Sequence, residues 1–224
     1  MKKNVILAGG SGFLGNQFSD FLAKKNYNVH VIDLKKLGNK RNIFFYKCDL
    51  TKERLVKEII YKIYKKFKSI DVLINCVAND YIPKKNKTSK FEDLNINNFE
   101  SDLKVGITTS LIVIKHVVKF MKKQKSGSIL NIGSDLSIIS PNQEIYDGFT
   151  KPISYSIVKH GIIGLTKYIS TYFAKDNIRC NTLCPGGIYN NQPSNFVRNL
   201  KKLIPLKRMA KINELNESMY YLIS

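Results

Sequence analysis

Val5-Ile6-Leu7-Ala8-Gly9-Gly10-Ser11-Gly12-Phe13-Leu14-Gly15, continued by the amphipathic run to Lys25, reads as a buried strand that turns directly into a helix. Glycines suit that junction for three reasons: the turn requires unusual φ values, a diphosphate must approach the backbone closely, and the helix must pack tightly on its strand. The free N–H groups and positive dipole end of the helix then face the phosphates. The next apolar run, Val29 to Ile32, ends at Asp33. A carboxylate there can accept hydrogen bonds from the adenosine ribose hydroxyls and repels a 2′-phosphate, which points to NAD. NADP is not excluded, because Lys35 and Lys36 follow and could reach the 2′ position.

Outward from this junction, short apolar segments alternate with longer amphipathic ones to the end of the chain. Val5 to Ala8, Val29 to Ile32, Ile43 to Tyr46, Val72 to Asn75, Ile129 to Ile132 and Ile178 to Leu183 read as strands. Phe13 to Lys25, Lys52 to Phe67, Phe99 to Lys123, Tyr155 to Ala174 and a stretch around Asn213 to Leu222 read as helices. Strands this continuously apolar are covered on both faces. The expectation is a doubly wound α/β fold (Rossmann fold), a parallel sheet with helices on both faces and strand order 3-2-1-4-5-6. The polar stretches Pro83 to Lys90, Asp135 to Pro152 and Tyr189 to Asn195 are expected to frame a site at the strand C-termini.

The 224 residues, 43% hydrophobic and 24% charged, describe one globular domain over 1–224 able to bury a full core, and exclude collagen, low-complexity disorder and disulfide scaffolds. The net charge of +20 comes almost wholly from lysines scattered along the chain. No recognition motif accompanies it, so nucleic acid is not expected as a partner. Cys48, Cys76, Cys180 and Cys184 lie in or beside strand-like runs and read as reduced thiols. His30, His116 and His160 fit no ligand spacing, so no metal is expected. The apolar run after Met1-Lys2-Lys3-Asn4 is too short for a signal peptide and no stretch is long enough for a membrane span, so a cytoplasmic location is expected.

Tyr155-Ser156-Ile157-Val158-Lys159 carries the chemistry. Residues four apart share a helix face, so the Tyr155 phenol and the Lys159 ammonium can meet one ligand, and the positive charge favours phenolate. Ile129 to Ser134 places a hydroxyl at the C-terminal edge of the fifth strand. With Cys48-Asp49-Leu50, Asn75-Cys76-Val77-Ala78 and Asn181-Thr182-Leu183-Cys184-Pro185-Gly186-Gly187-Ile188, the chain resembles the short-chain dehydrogenase/reductase family over almost its whole length. The resemblance implies an NAD(P)-dependent oxidoreductase moving a hydride between nicotinamide and an alcohol or ketone. It implies Tyr155 as general acid/base, Lys159 binding the nicotinamide ribose and lowering the Tyr155 pKa, and Ser134 orienting the substrate oxygen. It also implies cofactor contacts from Gly9, Ser11, Gly12, Phe13, Leu14, Gly15, Asp33, Asp49, Leu50, Asn75, Ala78, Tyr155, Lys159, Pro185, Gly186 and Ile188. Phe196 to Leu203 is then a lid helix over the substrate.

Three features depart from the family pattern. Gly106 stands where an Asn helps hold a water for proton relay; the interval from Ser134 to Tyr155 is longer and rich in polar residues; and the chain stops at Ser224, before the family's seventh strand and tail. The polar interval suits a hydroxyl-rich ligand, so the expected substrate is a sugar or nucleotide sugar. Ser134 to Ile188 most resembles a branch found in bacterial surface-polysaccharide and nonulosonic-acid biosynthesis clusters. The alternatives are a reductase of 3-oxoacyl groups on a carrier protein and a non-catalytic dinucleotide-binding scaffold. Apolar residues on the two long helices, among them Leu111, Ile114, Val118, Ile162, Leu165 and Ile169, exceed the needs of one buried face, so a homodimer or homotetramer is expected.

Overall fold

A computed structural model describes residues 2–36, 38, 40–79, 91–146 and 150–224. Six strands, β1 (Asn4–Ala8), β2 (Asn28–Asp33), β3 (Ile43–Lys47), β4 (Val72–Asn75), β5 (Gly127–Ile132) and β6 (Ile178–Leu183), form one sheet in the order β3-β2-β1-β4-β5-β6. Every pair is parallel. This is the expected Rossmann order, and the reversal between β1 and β4 opens a crevice at the strand C-termini where such sheets bind ligands.

Alternation along β1 divides the core in two. Val5 and Leu7 point to one face, where Phe18 and Leu22 of α1 (Phe13–Lys24) pack with residues from the C-terminal end of the chain. Ile6 and Ala8 point to the other, against α2 (Glu53–Phe67) and the long helices near the middle of the chain. β1 and β4 are buried at every position, as full coverage requires, whereas the edge strands β3 and β6 are only half buried, so the expectation of coverage on both faces holds for the centre of the sheet.

The helix expected over Phe99 to Lys123 is three pieces: α3 (Ile96–Leu103), a π-helical turn over Lys104–Thr108 and α4 (Thr109–Gln124). The widened turn is closed by the Thr109 hydroxyl, which donates to the Lys104 carbonyl at 3.0 Å. Next come α5 (Ile153–Tyr172), α6 (Ser194–Leu203) and α7 (Asn216–Ile223). Of the apolar residues of α4 and α5 that prompted the expectation of an oligomer, Ile114, Val118, Ile162 and Ile169 are buried, Leu165 is half-buried and Leu111 is open at 46% exposure. The buried ones are used up because both helices pack on the sheet as well as on their neighbours. Among the described residues no helix is long and apolar enough to cross a membrane. Of the three expected site loops, Pro83 to Lys90 lies outside the described residues, as does Asp147 of the long polar interval.

Candidate active site

The glycine turn is shaped for close backbone approach. Gly9 has φ +74, and a β-carbon on Gly15 would stand 2.4 Å from the Gly9 carbonyl oxygen and 2.6 Å from Gly10 Cα. α1 begins at Gly12 with no side-chain cap, so its leading N–H groups face the crevice without an internal anion. Ser11, Phe13 and Leu14 complete the turn, with Phe13 41% exposed and Leu14 packed at the rim of the core. Asp33 closes the far side: its Oδ2 accepts from the Ser11 N–H at 3.0 Å, while Oδ1 accepts from the Leu34 N–H at 2.7 Å. The carboxylate is thus held beside the turn.

The remaining residues expected at the cofactor line the same edge. Asp49 accepts from the Thr51 N–H and hydroxyl at 2.9 and 2.7 Å, and these bonds hold its carboxyl below the usual range. Leu50 beside it is buried. Asn75, 3% exposed at the end of β4, donates to Asn131 Oδ1 at 2.8 Å, and its own Oδ1 has no partner among the described residues. Such an orphaned buried acceptor beside the crevice is the mark of a missing donor. A narrow turn, an uncapped helix start, a fixed carboxylate and this acceptor together fit an adenine dinucleotide. Ala78 is exposed beyond β4, and the adjacent Asn79 donates to Asp102 at 3.0 Å.

Lys159 is only 6% exposed and donates to the Ile132 carbonyl at 2.9 Å, so α5 is tied to the C-terminal end of β5 two residues before Ser134. Its Nζ lies 5.6 Å from the centre of the Tyr155 ring, and its charge also reaches Cys76, whose backbone abuts Gly9. Lys159 is thus held at the C-terminal edge of the sheet with the Tyr155 ring beside it. Burial nonetheless pushes the Cys76 thiol up to about 12. Ser134 caps a short turn: its hydroxyl accepts from the Leu136 N–H at 3.2 Å and donates to Asp135 Oδ1 at 2.8 Å. The Asp135 N–H donates to the Pro185 carbonyl at 2.9 Å, which brings the loop after β6 beside Ser134. Gly186 is exposed next to Asp135, and Ile188 pairs with Ala210 across the base of α6.

Sequence reasoning missed Asp102 and a buried hydrogen-bonded chain, and read Gln143, Tyr146 and Lys151 only as members of a polar interval expected to frame the site. Asp102 on α3 joins Asn79 to the Ser154 hydroxyl, which it accepts at 2.6 Å immediately before Tyr155. Asn131, Thr166 and Thr182 form a buried chain beneath the crevice: Thr166 Oγ1 accepts from Asn131 at 2.9 Å and from Thr182 at 2.7 Å, and donates to the Ile162 carbonyl. Lys151 lies 3.6 Å from the centre of the Tyr155 ring, and its segment is clasped by Gln143, which exchanges two hydrogen bonds with the Lys151 backbone. The Tyr146 ring meets that of Phe196 of α6 in a tilted contact at 5.3 Å, so the polar interval and the expected lid touch. Residue types alone signal none of these, since each depends on pairing between distant segments.

The profile of a family described as short chain dehydrogenase matches residues 3–199. The chain is 28% identical over 238 residues to post-translational flagellin modification protein A of Campylobacter coli, covering 99% of this chain and 91% of that one. A short chain dehydrogenase of Leptospira borgpetersenii, solved with bound NAD+, superposes with a TM-score of 0.89 at 28% identity over 100% of this chain and 86% of its own. ElxO with NADP bound is also 28% identical, with a TM-score of 0.84 over 100% of this chain and 92% of that one.

Proposed function

This chain belongs to the short-chain dehydrogenase family and is an NAD(P)-dependent oxidoreductase, and we propose that it acts on a hydroxyl or ketone of a sugar or nucleotide sugar. The observation that carries the substrate reading is the polar wall beside Tyr155. Asp135 is bonded to Ser134, Lys151 lies over the Tyr155 ring, and Gln143 holds Lys151 in place. A cleft bounded by a carboxylate, an ammonium and an amide matches a hydroxyl-rich ligand and discriminates against an acyl chain. The likeness to a post-translational flagellin modification protein supports the reading.

In this reading the glycine turn and the start of α1 hold the dinucleotide's phosphates, and Asp33 meets the adenosine ribose, which favours NAD. When bound, the nicotinamide supplies or takes up the hydride. Tyr155 delivers or removes the proton at the substrate oxygen. Lys159, fixed by the Ile132 carbonyl, places a positive charge behind the phenol and favours its ionised form. Ser134 orients the substrate oxygen. Its proton rests on Asp135, and the rotatable hydroxyl can donate to a carbonyl or accept from an alcohol at that position. The protein works in the cytoplasm as a homodimer or homotetramer through α4 and α5, where Leu111, Ile153, Ile157, Tyr168 and Tyr172 remain exposed.

The test is the purified protein with NAD+ or NADH and a panel of free sugars, nucleotide-linked sugars and a 3-oxoacyl thioester, followed by the absorbance of reduced nicotinamide. Turnover of a sugar derivative supports the reading. Turnover of the thioester alone replaces it with the acyl-reductase reading, and binding of NADH without turnover of anything replaces it with the scaffold.

A further inference from the structure

Asp135 has one oxygen occupied and one open. Oδ1 accepts from the Ser134 hydroxyl at 2.8 Å and from the Leu136 N–H at 2.8 Å, which fixes the plane of the carboxylate. Oδ2 makes no hydrogen bond with any described residue, although the side chain is half-buried. It faces Gly186: a β-carbon built there would lie 3.7 Å from Oδ2, with no other described atom within 4 Å apart from the adjoining residues. The open oxygen therefore looks into the gap between Ser134 and the loop after β6, where glycine leaves room for a ligand.

We propose that Asp135 is a specificity-determining residue whose free oxygen accepts a hydrogen bond from a hydroxyl on the carbon next to the reacting one, so that the substrate is a vicinal diol or its hydroxyketone. The inference rests on the sugar reading and narrows it. Ser134 meets the reacting oxygen, and the carboxylate begins one hydrogen bond further along. The two oxygens of a vicinal diol likewise stand about one hydrogen-bond length apart, so one ligand can span Ser134 and Asp135 together. A carboxylate only accepts hydrogen bonds, and a hydroxyl is the neutral donor a carbohydrate presents at that position. A substrate with hydrogen on the adjacent carbon would leave the desolvated oxygen unpaired, and that is how a site built for a hydroxyl rejects the analogue that lacks it.

Acetoin and butanone test this, since they differ by that one hydroxyl. With NADH, the wild-type protein is expected to prefer acetoin by about tenfold or more in kcat/KM, the range of one hydrogen bond to a charged acceptor. Asp135→Ala is expected to bring the ratio close to one. Asp135→Asn keeps an acceptor for Ser134 but puts an amide N–H₂ where the open oxygen stood, so the acetoin-to-butanone ratio should shrink toward one. Calorimetric binding of both compounds to the protein loaded with NAD+ reads the same preference without turnover. An equal response to the two compounds, no response to either in both assays, or a preference that survives in Asp135→Ala overturns the proposal. A variant that slows both compounds equally assigns Asp135 to positioning Ser134 and overturns it as well. An acetoin preference carried by Asp135 in a protein that accepts no sugar retains the proposal and removes only the sugar reading.

Discussion

A β-carbon on Gly106 would stand 2.4 Å from Val158 Cγ1 and 2.9 Å from its Cγ2. Gly106 lies in the π-helical turn before α4, and Val158 lies between Tyr155 and Lys159 on α5, so the two helices touch directly beside these residues. Gly106 is thus matched to a branched neighbour that fills the volume a larger side chain would need. Gly106→Asn alone should destabilise the protein by about 1–3 kcal/mol through overpacking. Combining it with Val158→Ser should recover much of that loss. Urea unfolding of the two single variants and the double variant measures the coupling; strict additivity would show that the pair is not matched.

Gly15 is limited by backbone rather than by side chains, since the nearest atoms to its would-be β-carbon are the Gly9 oxygen and Gly10 Cα. Neither can rotate away. Gly15→Ala should therefore push the helix start off the turn and weaken NADH binding by at least about tenfold, read by the fluorescence of bound NADH. Unchanged affinity would place the dinucleotide elsewhere.

His30 on β2 is fully buried, stacked on Phe44 at 5.2 Å and bonded to Asn4 Oδ1 and the Tyr46 hydroxyl. Burial, aided by the charge of Lys66, lowers its pKa from 6.5 to about 4. Because the folded value is depressed, the unfolded chain binds more protons between these two values. Stability is then full above 6.5 and falls as the pH drops toward 4, by up to about 3 kcal/mol. The urea midpoint should decline across that window in the wild type and much less in His30→Gln.

Asp102 accepts from Asn79 and from Ser154, linking the end of β4 to the first turn of α5. Asp102→Ala leaves both donors to water and frees the residue preceding Tyr155. A loss of about 1–3 kcal/mol in stability is expected, with weaker NADH binding. Asp102→Asn should restore part of both, and equal behaviour of the two variants would show that neither hydrogen bond contributes.

The sheet was legible because its signals are local. Glycine spacing marks the turn after β1, apolar runs of four to six residues mark the strands, and Asp33 marks the end of β2. Tyr155 and Lys159 were legible because helical spacing alone puts them on one face. Asp102 was not, because its meaning lies in partners brought close by tertiary packing: Asp102 and Ser154 are 52 positions apart. Lys151 and Asp135 were legible as members of a polar interval, but not the contacts that fix them. The same limit explains the surplus inferred from Ile114, Val118, Ile162 and Ile169. Helical periodicity shows that a residue is apolar on a given face, but not how many neighbours that face will meet. The π-helical turn was hidden for a related reason, since Gly106 and Thr109 only acquire their roles once Val158 is packed against them.

The most direct measurement compares Tyr155→Phe with the wild type on whichever compound of the panel is turned over, alongside the dissociation constant for NADH. Loss of the phenol hydroxyl should lower kcat by about 10² to 10⁴-fold, the usual contribution of a positioned acid/base, while NADH affinity changes little. Undiminished turnover with normal cofactor binding would remove Tyr155 from the proton transfer and contradict the account.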